Sequence, residues 1–272
     1  MRSSQRARTG REEVTTSPGP WVLTLAIVLV SVPFYVLGSL LRVRIMPGLP
    51  VSALAFVGPA VVAFWVAHRA GSMRALIRRV FDIRQARPLA WYLASATLFP
   101  TVLAFEYAIM KVTHMPLPSP QIAWLRAPML FALFFTTAAG EEIGWSVTLF
   151  EGFRLRYGSL GAAVVIGIVV AFWHVIPFSQ AHPDAWWILG QCFFTVAFRV
   201  VIAWIYWTSS RSLLAVILCH ASYNTGWQLF PNESSAYDPW ICAALTWALA
   251  VGLTAVTGAR SLNGHRPANS AS

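Results

Sequence analysis

The sequence predicts an all-α, polytopic integral membrane bundle of about eight transmembrane helices. Three observations lead there. Of 272 residues, 57% are hydrophobic and only 11% are charged, whereas soluble domains average about 25% charged. The chain divides into eight apolar runs, each close to the ~20 residues that cross hydrocarbon as a helix. The charge is nearly all arginine, 19 Arg against one Lys, and it sits mostly between the runs. A net charge of +10 in a soluble protein would suggest a nucleic-acid partner. Between membrane spans the same arginines set orientation instead, so the expected partner is the lipid bilayer and no nucleic acid is expected.

In chain order, residues 1–20 form a polar tail with Arg2, Arg6, Arg8 and Arg11, expected to be disordered and cytoplasmic. Residues 21–41 are an apolar run of 21 residues, longer than the ~7–15 residues of a signal-peptide core, so it reads as a retained span. The second run covers 50–67, with a kink expected at Pro59. Residues 69–88 hold six arginines interspersed with Leu76, Ile77, Val80, Phe81 and Ile83. That pattern suggests either an amphipathic helix on an anionic membrane face or a solvated basic loop. The third run, 89–110, contains Glu106 and ends before a loop with Pro116, Pro118 and Pro120. The fourth is 127–150, the fifth 161–178, the sixth 185–208, the seventh 212–230 and the eighth 239–256, followed by a polar tail over 259–272. The transmembrane domain is therefore 21–258, with no internal repeat and no soluble domain. Cys192, Cys219 and Cys242 lie inside apolar runs without CxxC spacing, the pattern of buried inert thiols. With eight spans, the alternate segments that include both tails carry fifteen Lys and Arg against four on the other side. By the positive-inside rule both termini are expected in the cytoplasm.

Polar groups interrupt several of these runs. Glu141 and Glu142 are adjacent in the fourth, although one charge in hydrocarbon already costs about 2.5–3.5 kcal/mol. They lie about 100° apart around a helix, so both cannot face one cavity squarely. Glu142 and Ser146 share a face, and Gly140 and Gly144 beside them permit close helix approach. His174 sits in the fifth run ahead of Pro177, expected to bend that span's end. His220 and Asn224 are one turn apart in the seventh, and Arg199 lies midway along the sixth. A lone intramembrane His or Asn can simply tie helices together. Polar groups at similar depth on three helices point instead to a catalytic or transport site. A carboxylate beside an imidazole can deprotonate a water, and a second His with an Asn can donate to an oxyanion. Glu141, His174 and His220 could equally hold zinc with one position open for water, although no HExxH is present. The residues leave a zinc and a metal-free mechanism both open.

Three motifs, Glu141-Glu142-Ile143-Gly144-Trp145, Trp173-His174 before Pro177, and His220-Ala221-Ser222-Tyr223-Asn224, together resemble the CAAX-type prenyl endopeptidase family. This is also known as the Abi or CPBP intramembrane protease family. The resemblance covers roughly 127–230, the expected protease-like core. It implies a hydrolase of peptide or lipidated protein substrates, in a bacterial plasma membrane if it follows the bacterial members linked to peptide maturation and bacteriocin immunity. By resemblance Glu141 and His174 activate the water and His220 and Asn224 stabilise the oxyanion, with Glu142 counted among the catalytic residues. The family is commonly labelled metalloprotease, while a glutamate mechanism without metal has been argued. Two departures stand out: Ser146 occupies the Arg position of EExxxR, and Val170 the Phe position of FxxxH. Either Arg199 or Arg154 then replaces the missing cation for Glu142, or Glu142 takes up a proton, or activity is lost and the fold alone is kept. A non-catalytic immunity or scaffold protein and a proton-coupled transporter are the alternative readings.

Overall fold

The computed structural model describes residues 18–119 and 125–257. The two tails and Pro120 lie outside the described residues. The first span is α1 (Pro20–Leu41), its Pro at the first helical position where the missing N–H costs nothing. A short antiparallel hairpin follows, β1 (Arg44–Met46) and β2 (Leu49–Pro50), turning at Gly48 with φ 73°. The second span opens as a 3-10 segment, Val51–Phe56, and continues as α2 (Val57–Arg69). The change of helix type falls at Phe56 and Val57, so Pro59 sits in the first turn of α2 rather than at a mid-helix kink. Of the amphipathic stretch only α3 (Met73–Val80) is helical, with Leu76 buried and Ile77 outside. Residues 81–89 are instead pinned by Tyr92, whose hydroxyl donates to the Asp82 carbonyl at 3.0 Å and accepts from the Ala86 N–H at 3.2 Å.

The remaining spans are α4 (Ala90–Val112), α5 (Arg126–Glu142), α6 (Phe150–Ala181), α7 (Ala185–Thr208), α8 (Leu213–Leu229) and α9 (Pro239–Thr257). Residues Ile143–Leu149, between α5 and α6, are π-helical. Side-chain caps start the last three helices: Asp184 accepts from the Trp186 N–H at 2.9 Å, Ser212 from Ala215 at 3.3 Å and Asp238 from Trp240 at 2.8 Å. Pro177 lies within α6, which runs on to Ala181.

Six stretches are long and apolar enough to cross a membrane, and one of them is the 56-residue Arg126–Ala181. Gly158, at φ 71° and ψ 174°, breaks that stretch into two crossings. With α8, 17 residues of which 12 are buried, the bundle makes eight passes. α8 is its inner helix, packed between α4 and α5. Leu25, Leu29, Leu93, Phe172 and Val251 stay on the outside, as expected where lipid replaces water. The chain is a polytopic helical membrane protein.

Contacts define two end faces. At one, Arg44 donates to the Ala181 carbonyl at 3.2 Å and Arg126 pairs with Glu233 at 3.2 Å. At the other, Arg79 donates to the Arg211 carbonyl at 3.1 Å and Gln85 to that of Ser210 at 3.2 Å. Pro20 and Thr257 both belong to this second face, Pro20 beside Gly152 and Thr257 accepting the Trp204 indole N–H.

Candidate active site

The site is built where α5 passes into the π-helical segment. A π turn adds a residue per turn relative to the α ladder, rotates the residues after it around the helix axis, and recurs at functional sites. Here Thr148 Oγ1 donates five residues back to the Ile143 carbonyl at 2.7 Å. α2 presses against this segment: a Cβ on Gly144 would lie 2.5 Å from Pro59 Cβ and 2.9 Å from its Cα. The close approach foreseen for Gly144 is thus present, with Pro59 as its partner.

The two glutamates separate as their 100° offset requires. Glu141 lines a cavity of about 310 Å³. Glu142 points the other way and is fully buried. Its Oε1 accepts from Arg199 Nη1 at 2.7 Å and from His220 Nδ1 at 2.7 Å, while Oε2 accepts from the Ser146 hydroxyl at 2.5 Å. Arg199, 3% exposed, also reaches Glu141 Oε2 at 3.4 Å. The cation missing from position 146 is therefore supplied by α7. Arg154 has a different partner, Glu151 at 2.6 Å.

His174 lies in the same cavity, held between rings: Trp173 meets it edge-on at 4.6 Å and Phe178 stacks at 5.2 Å. Its Nδ1 is 2.9 Å from the Val170 carbonyl. A carbonyl only accepts, so Nδ1 carries a proton, and whenever the ring is neutral its basic nitrogen is Nε2. The backbone carbonyl of Val170 thus sets the tautomer, a role that leaves its side chain free to differ from Phe. His220 obeys the same logic. Its Nδ1–H is committed to Glu142, and Phe198 meets the ring edge-on at 5.2 Å. Nε2 can then donate only when the ring is cationic. Asn224, a turn further along α8, lines the cavity and makes no hydrogen bond to another described residue. Glu141, His174, His220 and Asn224 are thereby brought together at one hollow, and Glu142 stands behind it.

Trp173 anchors this wall to α1, donating its indole N–H to Ser31 at 2.8 Å, while the Tyr35 hydroxyl donates to the Trp173 carbonyl at 2.7 Å. Nothing in the sequence pattern had singled out Ser31 or Tyr35. Among the described residues, no group of three or more His, Cys, Asp or Glu side chains is placed to hold a metal ion. Of the cysteines, Cys219 and Cys242 are buried and Cys192 is half-buried; all three are free.

Fold and site together define a polytopic membrane protein with an ionisable constellation inside the bundle. Residues 123–226 match the family Type II CAAX prenyl endopeptidase Rce1-like. That stretch, from the start of α5 through most of α8, is an Rce1-like domain of the type II CAAX prenyl endopeptidase (Abi/CPBP) family. Comparison with curated proteins gives no match.

Proposed function

We propose that the protein is an intramembrane endopeptidase that hydrolyses a peptide bond of a membrane-associated or lipidated peptide. One observation carries this reading: a carboxylate, an imidazole base, a second imidazole and an amide line the same apolar hollow. Glu141 and His174 Nε2 hold a water, and Glu141 takes its proton as the oxygen attacks the scissile carbonyl carbon. The oxyanion is met by the Asn224 amide N–H and by Nε2–H of the cationic His220 ring, paired behind with the Glu142 carboxylate. Glu141 then returns the proton to the leaving amine as the C–N bond breaks. Glu142 is a positioning residue that fixes His220 and Arg199 and does not touch the substrate. The bundle is read as lying in a plasma membrane with both termini in the cytoplasm, on the strength of the arginine asymmetry.

The test is hydrolysis of lipidated and membrane-inserted peptides by the purified protein in lipid nanodiscs. Glu141→Ala and His174→Ala should each lower turnover by about 10²-fold or more, the usual worth of a positioned acid–base group. Equal cleavage by wild type and both variants would remove the assignment. The non-catalytic alternative is favoured by Ser146 alone, and Arg199 answers that substitution.

A further inference from the structure

We infer that the catalytic cavity opens on the side of the membrane opposite the cytoplasm, so that its substrate is a peptide segment presented at the outer leaflet. The substrate part of this inference rests on the endopeptidase reading; the orientation part does not.

The cavity runs from Glu141 and His220 at its inner end to Gly48 and Leu49 of the hairpin and to Ala181 and Trp227 at the ends of α6 and α8. All four of these rim residues belong to one end face. Gly48 packs on Trp227, where a Cβ would lie 2.8 Å from the indole, and Arg44 of the same hairpin bonds the Ala181 carbonyl. The hollow thus reaches the hairpin face. At the other end it is closed beneath the glutamates by the Arg199, Glu142 and Ser146 bonds.

The two faces differ in charge. Among the described residues the hairpin face carries four Lys and Arg: Arg42, Arg44, Lys111 and Arg126. The opposite face carries nine, six of them between 69 and 87 and the others Arg154, Arg156 and Arg211. Lys and Arg near span ends are retained on the cytoplasmic side, and acidic residues contribute little to that choice. The arginine-rich face is then cytoplasmic and the mouth is not. α3 agrees, since its exposed Ile77 and the nearby Phe81 and Ile83 lie among those arginines, as on an anionic inner leaflet.

This orientation selects a substrate class. Beyond the reacting groups the walls are mostly apolar and aromatic, including Phe178, Trp187 and Phe194. They suit an apolar or lipid-bearing segment of an exported or membrane-inserted peptide. A soluble cytoplasmic chain end would meet the closed, arginine-lined face instead.

The experiment is cysteine accessibility in intact cells, in a Cys192→Ala background. Three variants lie outside the catalytic machinery: Ser235→Cys on the exposed loop at the hairpin face, Thr137→Cys inside the cavity, and Ala75→Cys on the exposed side of α3. A membrane-impermeant maleimide should label Ser235→Cys in intact cells and Ala75→Cys only after permeabilisation. A small charged methanethiosulfonate added outside should reach Thr137→Cys. Labelling of Ala75→Cys but not Ser235→Cys in intact cells, or equal labelling of both, overturns the inference. Labelling of Ser235→Cys without Thr137→Cys overturns the open mouth. No readout involves catalysis, so a failure here and a failure of the endopeptidase assignment are told apart.

Discussion

Arg199 is a buried cation shared by two carboxylates. It is buried among apolar residues of α7 and pairs with both glutamates of the motif. Removing one partner of such a group leaves uncompensated buried charge, at a cost of about 3–5 kcal/mol. Arg199→Met should therefore lower the thermal unfolding midpoint of the purified protein sharply. Arg199→Met combined with Glu142→Gln should recover part of that loss, because the orphaned carboxylate is then gone. Equal stability of Arg199→Met and wild type would show that Ser146 and His220 suffice for Glu142. Much of this constellation is legible in the sequence. The paired glutamates, the two histidines, Asn224 and the displaced motif cation are all visible as polar interruptions of apolar runs. That Glu141 faces the hollow while Glu142 faces Arg199 is not legible there, because it depends on how α5 and α7 are rotated against each other. The tautomers are hidden for the same reason: they are set by one backbone carbonyl and one carboxylate whose positions only the packed helices fix.

The π-helical segment Ile143–Leu149 is the element that turns a helix end into a site. No residue in Ile143-Gly144-Trp145-Ser146-Val147-Thr148-Leu149 announces a π turn, and the sequence leads one to expect an ordinary span there. What holds it is close packing from outside, chiefly Pro59 of α2 against Gly144. Gly144→Ala places a methyl 2.5 Å from Pro59 Cβ and 2.9 Å from backbone atoms that cannot swing away. Overpacking of this kind costs typically about 1–3 kcal/mol, so Gly144→Ala should lower both stability and turnover. Gly19→Ala, which meets nothing within 4 Å, is the matched control and should change neither. If Gly144→Ala behaves like the control, α2 does not hold the segment. The small residues were legible as permissive of close approach; their partner was not, since Pro59 reads in sequence as a kink and acts in the fold as a packing edge.

At the scale of the molecule, eight passes and an arginine-rich face were legible from hydropathy and charge alone. Tryptophan marks both ends of the bundle as well, Trp21, Trp91, Trp204 and Trp207 at the arginine-rich face and Trp186, Trp187, Trp227 and Trp240 at the other, as aromatic belts do at membrane interfaces. The hairpin and the hollow behind it had no signature, because a cavity is made by residues from five or more separate elements that share no local pattern. The central claim is that Glu141 and His174 drive water, held inside the bundle, onto a peptide carbonyl. Its most direct test is cleavage of a membrane-inserted peptide in oxygen-18 water, with the products weighed by mass spectrometry. The expected result is one heavy oxygen in the new carboxylate from a single turnover, with no product from folded Glu141→Gln protein. Undiminished labelled product from Glu141→Gln, or no product from well-folded wild type across a panel of lipidated and unmodified peptides, would contradict the account.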